Sequence, residues 1–244
     1  MKFSIEKAVL NKAVSQAQSV VERRNTIPIL SNVLIEATPE GVSFRATDLD
    51  TEVVDRAPAT VERPGATTVS AALLNDIARK LPDGALVSIS TEAEGRLTVQ
   101  AGRSNFSLAT LPRDDFPVIA EGELPTTFEL PAETLKQIID KTRFAISTEE
   151  TRYYLNGIFL HLQDDVLKAA ATDGHRLARV TVAKPEGIEA MPDVIVPRKC
   201  IAELRKLLDE AEDEVEVQLS PTKIRFGLGR AVLTSKLIDG TFPD

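Results

Sequence analysis

Apolar positions along this chain follow two rhythms. Leu10, Ala13, Val14, Ala17, Val20 and Val21 recur at steps of three and four, which predicts an amphipathic helix near residues 7–21. Leu73, Leu74, Ile77 and Leu81 predict a second helix over 71–81. Leu135, Ile138, Ile139 and Thr142 predict a third near 131–144, with Pro131 suited to its first turn. Ile201, Leu204, Leu207 and Leu208 predict a fourth over 197–208. Elsewhere the period drops to two. Val215, Val217 and Leu219 interleave with Glu214, Glu216 and Gln218, the pattern of a strand with one wet face. Val87 with Ile89, Leu97 with Val99, and Ile224 with Phe226 alternate in the same way.

The pattern repeats. Phe3-Ser4-Ile5 returns as Phe128-Glu129-Leu130, 125 positions along. Leu30-Ser31-Asn32-Val33-Leu34 returns as Leu155-Asn156-Gly157-Ile158-Phe159, and Ala46-Thr47-Asp48 as Ala171-Thr172-Asp173, both at that offset. Phe116-Pro117 returns as Phe242-Pro243 at 126. Landmarks in one order at near-constant spacing mark two copies of one unit. The fold class is therefore α+β, tandem repeats of antiparallel sheet with two helices each. The copies are expected at 1–120 and 128–244, with a linker over 121–127 that continues the aperiodic, proline-bounded run 117–125. The second copy finishes at the end of the chain, which leaves room for a further one.

Composition narrows the class. Among 244 residues, 43% are apolar and 27% charged, the mix of a soluble globular protein. No apolar run reaches about 18 residues, so no membrane span is expected. Lys2, Glu6 and Lys7 break up what a signal peptide would need as an apolar stretch. Cys200 is the only cysteine, which excludes an internal disulfide and suits the cytoplasm. A net charge of −8 argues against a whole surface that coats nucleic acid, but not against one basic face. Such faces exist. On the fourth helix Arg198, Lys199, Arg205 and Lys206 lie opposite the apolar stripe, with Glu203 the only acid there; the third shows Lys136, Lys141 and Arg143 against Asp140; the second ends in Arg79 and Lys80. A single charged face is usually just solvated. Several basic ones in an acidic chain suggest a surface that meets phosphates without reading sequence.

Longer motifs carry a family resemblance. Arg152-Tyr153-Tyr154-Leu155-Asn156-Gly157, Ala171-Thr172-Asp173-Gly174-His175-Arg176-Leu177, Val196-Pro197-Arg198-Lys199 and Thr234-Ser235-Lys236-Leu237 with Asp239-Gly240-Thr241-Phe242-Pro243-Asp244 resemble the middle domain of bacterial beta sliding clamps. Ile27-Pro28-Ile29-Leu30, Ala46-Thr47-Asp48-Leu49, Pro64-Gly65-Ala66-Thr67-Thr68-Val69 and Gly102-Arg103-Ser104 resemble the first domain. The resemblance implies the DNA-clamp fold: three such domains per chain, two chains head to tail in a homodimer ring, helices lining the hole and sheets outside. Duplex DNA threads the hole without sequence preference. DNA polymerase and clamp-loader subunits dock through linear peptides in a pocket between the second and third domains. No cofactor, metal or catalytic residue is implied. The third domain is absent from this chain, so the resemblance predicts a mainly monomeric molecule here and a ring for the full-length protein.

The resemblance also assigns residues. It places Arg24, Arg79, Lys136, Glu149, Tyr153, Tyr154, Arg198, Lys199 and Arg205 toward DNA. Position 149 is an amide in some relatives and an acid here; Ala72 stands where some relatives have a basic residue. It places Arg152, Leu155, Thr172, Gly174, His175, Arg176, Leu177 and Pro243 in the peptide pocket, with Leu155, Leu177 and Pro243 as its apolar floor. Phe106 and Leu108 fall on the edge strand that meets the partner chain. Bland readings stand beside these: Leu155 and Leu177 as core, the tyrosines as packing, His175 as structural. A rival function comes from Asp48, Asp50 and Glu52, which alternate on an expected strand and would suit a metal-dependent nuclease, although the second copy has Asp173, His175 and Leu177 there. A β-rich interaction module that never meets DNA is the third reading. Gly227-Leu228-Gly229 reads as a hairpin turn, and the acidic run 209–214 as an exposed loop.

Overall fold

The computed structural model describes residues 1–22, 26–91, 95–119, 122–211 and 213–243. The chain divides into two compact units, Met1–Ile119 and Ala120–Asp244.

The first unit runs β1 (Lys2–Glu6), α1 (Lys7–Val20), β2 (Asn32–Thr38), β3 (Gly41–Thr47), β4 (Thr51–Ala57), β5 (Thr60–Arg63), β6 (Gly65–Ser70), α2 (Ala71–Lys80), β7 (Leu86–Ser90), β8 (Arg96–Ala101) and β9 (Ser104–Leu111). Its strands pair antiparallel in the order β4-β3-β2-β6-β9-β8-β7-β1-β5. Strand β9 joins the two halves, pairing β8 over Ser104–Ala109 and β6 at Thr110 and Leu111. Helix α1 buries Leu10, Ala13, Val14, Ala17 and Val20 against α2, β3 and β4. Helix α2 corrects the sequence reading. Its buried stripe is Ala71, Leu74, Asn75 and Ala78, while Leu73 is 54% exposed. Leu74 and Leu81 are buried and Ile77 half-buried as the periodicity expects, but Leu73 faces out and the small Ala71 and Ala78 complete the core face. Ser70 caps this helix, its hydroxyl accepting from the Leu73 N–H.

The second unit runs β10 (Thr126–Pro131), α3 (Ala132–Thr142), β11 (Gly157–Gln163), β12 (Val166–Thr172), β13 (Leu177–Ala183), β14 (Val194–Pro197), α4 (Arg198–Leu208), β15 (Glu214–Leu219), β16 (Lys223–Leu228) and β17 (Ala231–Lys236). Two antiparallel sheets result, β10-β15-β16-β17 and β13-β12-β11-β14, bridged at Ile195 and Ile238. Helices α3 and α4 pack on each other and on both sheets. Pro131 closes β10 and caps α3 instead of sitting in its first turn. Strand β10 already begins at Thr126, inside the stretch expected to be linker. Glu203 is not on the wet face of α4: it is buried, its carboxylate accepting from Lys206 Nζ at 2.8 Å.

Candidate functional site

The β12–β13 turn organises the site. Thr172 Oγ1 donates to the Arg176 carbonyl at 2.7 Å and accepts from the Gly174 N–H at 3.1 Å. Asp173 Oδ1 accepts from the backbone N–H groups of His175 and Arg176, each at 3.0 Å, and Oδ2 accepts from Arg176 Nε at 2.9 Å. Those donors, the His175 N–H first, hold the Asp173 carboxyl down at about 2. Gly174 has φ +88°, a conformation that glycine adopts without a Cβ penalty.

Beside this turn lies a cleft of about 910 Å³. Its floor is a buried cluster of Leu155, Ala170, Ile195 and Phe242, flanked by Tyr154, Phe159 and Ile238. The Phe159 ring stacks on Phe242, centroids 4.8 Å apart, and on His161 at 4.9 Å. Gly157 brings β11 tight against β14, since a Cβ there would lie 2.3 Å from the Val196 carbonyl oxygen. Arg152, Arg179, Asp193 and Asp239 supply charge around the walls. Arg152 itself departs from helical geometry (φ −113°, ψ 53°) within the 3-10 segment Glu150–Leu155. Its Nε donates to Glu149 Oε2 at 2.9 Å, and Nη2 is in ion-pair contact with the same oxygen at 2.8 Å.

Six of the eight residues assigned to the peptide pocket line this cleft: Arg152, Leu155, Thr172, Gly174, Leu177 and Pro243. Leu155 is floor; Leu177, 68% exposed, is rim and not floor. His175 and Arg176 are not among the lining residues. Asp173 draws both backbones into the turn, and the Arg176 guanidinium turns to Asp173 and the Phe144 ring, 5.6 Å from its centroid. Phe242, Phe159, His161 and Ile195 were missed. Phe159 and Phe242 are both repeat landmarks, the one signal that points to them, whereas Phe159 and His161 lie on the β11 face opposite the buried Ile158, which alternation assigns to water.

The residues assigned to DNA are less uniform. Arg24 lies outside the described residues. Arg79 and Lys80 are exposed in the last turn of α2, and Arg198 is exposed at the start of α4 with Lys199 half-buried beside it. Lys136 lies 3.9 Å from Glu133. Arg205 is a tie between helices and not an unengaged cation: Nε donates to both Asp140 oxygens at 3.0 and 3.1 Å, and Nη1 donates to Asp209. These bonds hold the Asp140 carboxyl low and raise the guanidinium's affinity for its proton. Tyr153 is 55% exposed, whereas the half-buried Tyr154 lines the cleft, its ring edge-on to Tyr153 at 5.9 Å. Glu149 is engaged with Arg152.

On β9, Phe106 is 37% exposed and Leu108 is buried. The far edge of β9 over residues 104–109 has no strand partner among the described residues of its unit. The carboxylates proposed for metal chemistry do not share a strand face. Asp48 and Asp50 lie in the turn between β3 and β4, where Asp48 Oδ1 accepts from the N–H groups of Asp50 and Thr51 at 3.0 and 2.6 Å. Glu52 is buried on β4 and paired with Arg45 Nη1 at 2.9 Å. Among the described residues, no three His, Cys, Asp or Glu side chains are grouped to hold a metal, and no helix is long and apolar enough to cross a membrane.

Comparison with known proteins follows the same two units. Residues 1–120 match the family described as the DNA polymerase III beta subunit, N-terminal domain, and residues 129–244 match its central domain. The chain is 53% identical over its whole length to the beta sliding clamp of Caulobacter vibrioides, covering 67% of that protein, and 41% identical to that of Escherichia coli K12, covering 66%. It superimposes on the solved Caulobacter crescentus pol III beta with a TM-score of 0.96 at 53% identity, covering all of this chain and 68% of that one. A Bartonella birtlesii sliding clamp, solved bound to griselimycin, gives 0.97 at 50% identity, with 66% of it covered. The chain thus spans about two thirds of the length of these relatives.

Proposed function

Because the chain belongs to the DNA polymerase III beta subunit family, the beta sliding clamps, we propose that in its assembled form it encircles duplex DNA and tethers a polymerase through a docked peptide. The observation that carries the docking half is the cleft. A buried apolar floor (Leu155, Ala170, Ile195, Phe242) meets a solvent-facing Leu177 rim and the arginine Arg152, which suits a leucine or phenylalanine anchor with a polar neighbour. Arg152 can donate to a peptide carbonyl or carboxylate. The protein performs no chemistry of its own in this reading. Of the three carboxylates a nuclease would need, Asp48, Asp50 and Glu52, the first is committed to a turn and the last to Arg45.

Contact with DNA is assigned to the exposed cations at the end of α2, Arg79 and Lys80, and at the start of α4, Arg198 with Lys199 next to it, together with the exposed Tyr153. Phosphate contacts of this kind are indifferent to sequence and weaken steeply with salt. Ring closure across the β9 edge belongs to the same proposal, with the exposed Phe106 as its side-chain contact and the buried Leu108 lending only the strand backbone. The test is topological. The assembled ring, loaded on nicked circular DNA, should stay bound through gel filtration at high salt and be released when the circle is cut. Equal retention on circular and linear DNA would overturn encirclement.

A further inference from the structure

We propose that Glu149 is a positioning residue for the cleft, which by holding Arg152 sets how strongly the site favours an acidic side chain in a docked peptide. The inference rests on the docking reading of the cleft. Of the three guanidinium nitrogens of Arg152, Nε donates to Glu149 Oε2 at 2.9 Å and Nη2 lies in ion-pair contact with the same oxygen at 2.8 Å. The third faces the cleft turn: a methyl group built on Gly174 would meet Nη1 at 2.6 Å. Arg152 therefore reaches from Glu149, outside the cleft, to the space beside Gly174 within it.

The Glu149 end is anchored. Its backbone N–H donates to Ser147 Oγ at 3.1 Å, and the buried Ser147 donates its own N–H to the Leu155 carbonyl at 3.0 Å, closing the segment into a loop. The pair is nonetheless solvent-accessible, with side-chain exposures of 38% and 50%. An ion pair of that exposure is weak, so a ligand carboxylate can exchange with Glu149 at small cost. A carboxylate that approaches the cleft-facing Nη1 of Arg152 also feels the negative charge of Glu149 on the other side of the guanidinium, which offsets part of the attraction. A neutral peptide is indifferent to that cancellation. Glu149 thus damps a preference for acidic ligands that Arg152 alone would impose.

The experiment uses two fluorescein-labelled hexapeptides with leucine and phenylalanine anchors, one neutral and one with a polar position changed to aspartate. Their affinities for the protein and for Glu149→Gln are measured by anisotropy at low and high salt. The ratio of acidic to neutral affinity should rise about threefold in Glu149→Gln at low salt and fall back at high salt. In an Arg152→Gln background the same change should no longer move the ratio. An unchanged ratio, or one that still moves without Arg152, overturns the role given to Glu149 while leaving the cleft as a docking site. Absence of binding by either peptide to the unaltered protein overturns both.

Discussion

The two copies of the unit build the same turn and surround it with different side chains. In the first, Thr47 Oγ1 donates to the Thr51 carbonyl at 2.9 Å and accepts from the Leu49 N–H at 3.0 Å, and Asp48 accepts the N–H groups two and three residues on. In the second, Thr172, Gly174, Asp173, His175 and Arg176 make the same set of bonds. Even the backbone agrees, with φ +82° at Leu49 and +88° at Gly174. The side chains differ. Arg45 and Glu52 pair beside the first turn, and Glu52 also accepts from the Ile119 N–H at 3.4 Å. Their counterparts 125 positions along are Ala170 and Leu177, which form the floor and rim of an open cleft. Within that shared frame the first copy carries an ion pair at the two positions where the second carries Ala170 and Leu177 of the cleft.

Four changes would break or sharpen that contrast. The largest effect is expected from Glu52→Ala, which strands Arg45 beside a buried strand; unfolding by denaturant should show a loss of about 3 kcal/mol. Next, transplanting the first copy's pair with Ala170→Arg and Leu177→Glu should fill the cleft. Peptide affinity should drop about 50-fold by calorimetry with the fold retained, because the anchor's buried contacts go. Third, Gly174→Ala should cost about 1 kcal/mol at its positive φ and displace Arg152, whereas Leu49→Gly, which relieves the matching strain, should be near neutral. Equal costs at the two positions would refute the shared-turn account.

The smallest effect is a pH dependence. Asp173 has a folded carboxyl near 2 against an ordinary value of 3.8, so its contribution is present above about pH 4 and lost as pH falls toward 2. The stability gap between the protein and Asp173→Asn, measured by thermal melting, should therefore close over that window. A gap that widened on acidification would reverse the sign.

Much of this architecture was legible because repetition and periodicity are local signals. Leu10, Ala13, Val14 and Ala17 form one stripe on α1, and the stripe is buried. Leu155, Thr172, Gly174 and Leu177, which the motif resemblance assigns to a peptide pocket, all line one cleft. What escaped depends on distant partners or on unlikely core residues. Leu73 looked apolar and therefore buried, but Ala71 and Ala78 share the core face with Leu74. Arg205 looked like an unengaged cation because Asp140, which holds it, is 65 residues away. Phe159 and His161 lie on the outward face of β11, which alternation alone assigns to water; only the passage of the Ile238–Phe242 segment turns that face into a wall.

The central claim is that the second copy, and not the first, holds the docking site. Methyl-labelled NMR titration with the neutral leucine- and phenylalanine-containing peptide tests it directly. The account predicts shifts at Leu155, Leu177, Ile195 and Ile238, with Leu30, Leu34 and Leu49 unmoved. Shifts centred on the first copy's leucines, or spread equally over both sets, would contradict it.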